Sequence, residues 1–165
     1  MIALGILLFL IQVFIIFKKR DRKKLDTGLK YSSYAFLMLG LTTVLGIFIA
    51  FVDYQNILNL TLIYGYMIIF GYLSMLIVGQ MYKIVPFLVW YHKYSSKVGI
   101  EKVPMLKEMF NEKYAGYGLY LMIAAILGSI YSLTFRSEIG LIVSFSIMFI
   151  SSLIFSINMI TIFRK

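Results

Sequence analysis

Residues 79–92 bring several side chains that could do chemistry into one otherwise apolar run: Gln80, Tyr82, Lys83, Pro86, the sole tryptophan Trp90 and the sole histidine His92. A histidine nitrogen can ligate a metal or haem, but a closed metal site needs three or four protein ligands, and His92 has no histidine companion. The chain has no cysteine, so thiolate chemistry and disulfides are excluded. The ten methionines are scattered among apolar neighbours, as gap-filling residues are. No paired acid and base or activated nucleophile stands out, so an enzyme acting at the inner interface is the weakest functional class. Lys83 can keep its stem in an apolar region while its ammonium reaches water. Pro86 lacks an N–H and crowds the preceding turn, so the helix is expected to kink or end near Val85. Phe87, Leu88, Val89, Trp90 and Tyr91 then turn along the interface, where Trp and Tyr are favoured. Two readings stay open. The segment is an anchored helix terminus, or Gln80, Tyr82, Lys83, Pro86 and Trp90 form an inner-mouth pocket. Such a pocket would suit an anionic headgroup, a phosphate or a quinone-like ring.

The elements that position these residues follow from composition. Of the 165 residues, 61% are hydrophobic and 14% charged, far from the balance of a soluble domain. Five apolar stretches, at 2–17, 31–52, 57–82, 115–135 and 139–163, are near or above the ~17–25 residues that a membrane-crossing helix needs. None alternates with period two, so helices rather than a barrel satisfy the backbone. The fold expected is an all-α integral membrane bundle of five transmembrane helices, forming one domain.

The net charge of +9 is distributed by loop. Six basic residues crowd 18–24, Lys30 follows them, six more lie in the inner loop 83–114, and Arg164 and Lys165 end the chain. Only Arg136 falls on the other side of a five-span arrangement. Short basic loops stay cytoplasmic, which sets the N-terminus outside and the C-terminus inside, in a cell (inner or cytoplasmic) membrane. The expected partners are the bilayer and its anionic lipids at the cytoplasmic face, not nucleic acid. The first stretch lacks a basic n-region and a cleavage site, so it reads as an uncleaved helix. Asp53 to Asn56 and Arg136 to Glu138 read as tight outer turns.

Uncharged polar residues carry the remaining signals. Ser144, Ser151 and Asn158 repeat every seven residues, giving one stripe on the fifth stretch. The stripe is either interhelical glue or the lining of a polar path in a small oligomeric transporter or channel. Ala124, Gly128 and Ser132, and likewise Gly46 and Ala50, are spaced for close helix packing. After Pro104, Met105, Leu106, Met109 and Phe110 fall on one side of a helix, with Lys107, Glu108, Asn111 and Glu112 opposite. That pattern predicts an amphipathic segment lying on the cytoplasmic interface.

The run 79–92, followed by Val103, Pro104 and Met105, resembles a group of poorly characterised bacterial membrane proteins. These are distant relatives of haem–copper oxidase subunit I and of the NnrS-type haem membrane proteins. The likeness covers mainly 71–110, about a quarter of the chain. Those families hold haem and copper through several intramembrane histidines, which this chain lacks; Gln80 stands where one would be looked for. The resemblance therefore implies no cofactor site in this chain, with haem reachable only through a partner subunit. It implies a non-catalytic accessory or interaction subunit of a respiratory or haem-related membrane system.

Overall fold

The computed structural model describes residues 2–20, 25–51 and 57–164. Arg22, Lys23, Lys24, Lys165 and the turn expected at 53–56 lie outside the described residues. Among the described residues the regular structure is helical, with one isolated bridge between Val98 and Glu101. The helices are α1 (Ile2–Lys18), α2 (Thr27–Ile49), α3 (Ile57–Tyr66), α4 (Met75–Tyr94), α5 (Glu112–Phe135) and α6 (Glu138–Arg164). A π-helical stretch, Met67–Ser74, joins α3 to α4 without a break. Ser74 Oγ donates to the carbonyl of Ile69, five residues back, at 2.8 Å. The joined rod, with the 3₁₀ turn that follows it, is 40 residues long, Leu58–Lys97, and contains a window apolar enough to cross a membrane. At 1.5 Å per residue it is about 60 Å long, twice the ~30 Å hydrocarbon core.

Among the described residues four helices are long and apolar enough to cross a membrane: α2, the α3–α4 rod, α5 and α6. The fifth apolar helix, α1, is shorter at 17 residues. Polar caps set the boundaries. Asp26 begins α2 by accepting from the N–H of Leu29 at 3.1 Å. Asn111 begins α5 by accepting from the N–H groups of Lys113 and Tyr114 at 3.0 and 3.3 Å. Arg136 ends α5 in the left-handed region at φ 53°, and Ser137 Oγ accepts from the N–H of Gly140 at the start of α6. Two residues thus suffice to reverse the chain.

Pro86 does not end the helix. It lies buried inside α4, which runs on to Tyr94. Its missing N–H removes the helical donor for the carbonyl of Tyr82, four residues back. Phe87, Leu88 and Tyr91 remain on the helix surface, exposed.

The helices meet closely where glycine permits. A Cβ on Gly28 would sit 2.6 Å from the carbonyl oxygen of Gly79, and one on Gly79 would sit 2.8 Å from that of Gly28. Each glycine is therefore the clearance for the other's backbone, at the crossing of α2 and α4. Fully buried Tyr31, Met75, Leu119, Ile126 and Ile162 come from four different helices. Met109, in the connection between α4 and α5, is equally buried and closes that end of the core.

Candidate functional site at the basic end of the bundle

A cavity of about 490 Å³ opens where the start of α2, the middle of α4 and the start of α5 come together. Arg20, Lys30, Lys83 and Lys107 line it, against two carboxylates, Asp26 and Glu112. Asp26 is already engaged as the cap of α2. The positive ends of the α2 and α5 dipoles lie at the same rim, so the local field favours an anion. Lys83 is held rather than splayed: its Cγ and Cε lie 2.8 and 3.2 Å from where a Gly28 Cβ would be. The glycine that admits Gly79 thus also seats the lysine stem. Tyr82, Pro86, Phe87, Leu106 and Phe110 make the apolar part of the wall.

Behind that wall stands an aromatic cluster. The Tyr82 ring packs against Tyr31, Phe110 and Phe155, with centroids 5.7, 5.2 and 5.4 Å away. Tyr31 anchors one side by donating to the carbonyl of Ala115 at 3.2 Å. Asn158 reaches the other side and donates to the Tyr82 hydroxyl at 3.4 Å. Its amide also brackets the backbone of Asn111, accepting from the N–H at 3.0 Å and donating to the carbonyl at 3.1 Å. One α6 side chain thereby ties α4 to the cap of α5.

The five residues expected at an inner mouth divide. Tyr82, Lys83 and Pro86 line the cavity. Gln80 points away, donating to Ser32 Oγ on α2 at 3.4 Å. Trp90 lies outside the cavity lining and ties α4 to the following connection: its Nε1–H donates to the carbonyl of Pro104 at 2.7 Å. Lys93 similarly caps the end of α6 by donating to the Phe163 carbonyl at 3.3 Å.

The stripe faces inward. Ser144, Ser151 and Asn158 are all buried. Ser151 donates across the interface to the Gly118 carbonyl at 2.8 Å, and Ser144 Oγ lies 2.6 Å from where a Gly128 Cβ would be. These side chains join α6 to its neighbours. The packing ladders hold only in part. Gly128 and Ser132 serve the α5–α6 contact, whereas Ala124 is exposed and Ala125 takes the buried place. Gly46 lies under the Tyr64 ring, and Ala50 is exposed at the end of α2.

The amphipathic segment is not one helix face. A single 3₁₀ turn, Leu106–Glu108, follows Met105, whose N–H donates to Glu108 Oε2 at 3.1 Å. Met105 and Leu106 are exposed, while Met109 is buried in the core and Phe110 packs on Tyr82. The turn rotates the apolar residues to opposite sides.

Sequence reasoning missed Tyr31 and Gly28, and it treated Tyr82 and Asn158 as members of separate features. No local signal in the sequence pairs them, because the Asn158–Tyr82 contact spans 76 residues. His92 is exposed beside Tyr91, and among the described residues no group of three or more His, Cys, Asp or Glu could hold a metal ion.

These features define a class: an all-helical bundle with helices long and apolar enough to cross a membrane and a cation-lined cavity at one end. No protein-family model matches the chain, nor does any curated protein or solved structure.

Proposed function

We propose that the chain is a five-span protein of the cell membrane, N-terminus outside, that acts by contact rather than by catalysis. In this reading α1 spans with the four longer helices, and the cavity opens to the cytoplasmic side. There it receives an anionic, phosphate-bearing group from a lipid headgroup or from solution. The supporting observation is the cavity itself: four cations against two carboxylates, around a space within the ~300–1,000 Å³ of ligand pockets. The wider role is that of a non-catalytic accessory subunit beside another membrane protein. Its respiratory or haem-related setting rests only on the resemblance carried by residues 79–92 and 103–105.

The test is retention of anionic lipid by purified protein, read by native mass spectrometry after reconstitution in phosphatidylglycerol or phosphatidylcholine nanodiscs. Each cation near an anionic surface contributes about 1 kcal/mol, so Lys30→Gln with Lys83→Gln should weaken phosphatidylglycerol retention roughly 30-fold. Lys97→Gln with Lys102→Gln, on the exposed connection, should cost far less. Competition by inorganic phosphate would mark the phosphate, rather than the lipid, as the occupant. Equal losses for both pairs of substitutions would overturn the assignment. A gentle-detergent pull-down with an absorption spectrum reports partner and haem together; a protein that copurifies with no partner would overturn the accessory role.

A further inference from the structure

We infer that α1 pairs with α1 of a second copy of this chain, through a seam centred on Gln12; the inference rests on the reading that α1 spans the membrane. α1 touches the bundle with one face only. Ala3, Ile6, Leu10, Val13 and Phe17 are its half-buried residues, and none of its side chains is fully buried. Turned away from that face, at heptad spacing, lie Gly5, Leu8, Gln12 and Ile15, all of them exposed. A Cβ on Gly5 would meet nothing within 4 Å.

Gln12 is what identifies the occupant. Five carboxamides are described, and four have partners: Asn59, Gln80, Asn111 and Asn158. Asn59 has its partner when its amide oxygen is turned to Arg136, accepting from Nη2 at 2.6 Å. Gln12 alone has none among the described residues. It stands ten residues from one end of α1 and six from the other, about 15 and 9 Å along the axis. Helical side chains lean toward the N-terminus, so Gln12 leans away from the nearer, basic end and toward the hydrocarbon. Lipid chains cannot satisfy its N–H and C=O groups there.

A second Gln12 can. The amide has a positive N–H edge and a negative C=O edge, so two copies related by a two-fold axis meet donor to acceptor. Gly5, one heptad earlier, allows the two backbones to come close. A single polar residue on such a seam also fixes its register.

The absence of native cysteine makes the test direct. Single cysteines at Gly5, Leu8 and Ile15 should form disulfide-linked dimers on oxidation in membranes, whereas cysteines at Ile6 and Val13, which face α2, should not. Adding Gln12→Leu to the Leu8→Cys variant should cut cross-linking roughly tenfold, the scale of one or two lost interhelical hydrogen bonds, and Gln12→Asn should preserve much of it. Cross-linking without that periodicity, or unchanged by Gln12→Leu, would overturn the pairing, as would a cross-linked product containing a different protein. A water-soluble maleimide separates the two ideas. If it labels Gln12→Cys in sealed vesicles, α1 does not span and both readings fail. If Gln12→Cys is protected but the seam does not cross-link, only the pairing fails.

Discussion

Replacing Asn158 by alanine should release the connection between α4 and α5 while leaving the helices intact. The side chain makes two well-formed hydrogen bonds to the Asn111 backbone, at 3.0 and 3.1 Å, and a longer one to the Tyr82 hydroxyl at 3.4 Å. The carbonyl of Asn111 keeps a second donor, the N–H of Ala115 at 3.1 Å. The loss therefore falls on the Asn111 N–H and on a tyrosine hydroxyl left alone in a buried aromatic cluster. Net values of ~0.5–1.5 kcal/mol per bond, with ~0.6 as the mean inside membranes, put the total near 2 kcal/mol. That is roughly a 30-fold change in a local opening equilibrium and about 4–8 °C in Tm for a chain of this size.

The assay uses Met109→Cys as a reporter, since Met109 is fully buried on the held turn and no other thiol is present. In that background Asn158→Ala should raise the maleimide labelling rate about 30-fold. Ser151→Ala removes one bond, at 2.8 Å, to a carbonyl that remains in its own helix. It should raise labelling less than about threefold, as expected for a bond worth ~0.6 kcal/mol. Similar rates for the two variants would refute the assignment of Asn158 as the clamp.

Gly79→Val should open the α2–α4 crossing, because its Cβ would stand 2.8 Å from a backbone oxygen; we expect about 1–3 kcal/mol of destabilisation in a detergent melt. Gly65→Ala, where nothing lies within 4 Å, should instead leave stability equal or raised by up to ~1 kcal/mol. Trp90→Phe keeps an aromatic side chain but removes the 2.7 Å bond to Pro104, so limited proteolysis within 95–111 should quicken about fivefold for a bond worth ~1 kcal/mol.

The positions of the helices were legible because hydrophobic runs of this length have few other uses. Their ends were not. Hydropathy places starts at 31 and 115, but α2 begins at Thr27 and α5 at Glu112. Backbone hydrogen bonding continues past the apolar stretch until a cap stops it, and here Asp26 and Asn111 are the caps. At Pro86 the expectation that the helix ends was outweighed: an interior proline costs ~3 kcal/mol, and α4 is held on both sides of it by Tyr82, Val85, Val89 and Trp90 packed at the core. In the site, type was legible and partnership was not. Lys83 was visible as an unusual charge, and the seven-residue spacing of Ser144, Ser151 and Asn158 as a shared face. Which backbone each would meet depends on helix rotation, and the low amphipathicity of these helices leaves that rotation unmarked in the sequence.

The clamp and the cavity act on one piece of chain, and this gives them a measurable coupling. Lys107 and Phe110 line the cavity, and Asn111, which follows them directly, is the residue that Asn158 brackets. An anion held by Lys107 therefore needs the turn in the position that Asn158 secures. If the turn opens in a fraction of molecules, apparent affinity falls by that fraction and no further. Asn158→Ala should accordingly weaken anion retention in proportion to the opening seen by Met109→Cys labelling. By reciprocity, phosphatidylglycerol should slow that labelling in the wild-type clamp more than phosphatidylcholine does. Retention unchanged in a variant whose turn labels freely would separate the two and place the anion on Arg20, Lys30 and Lys83.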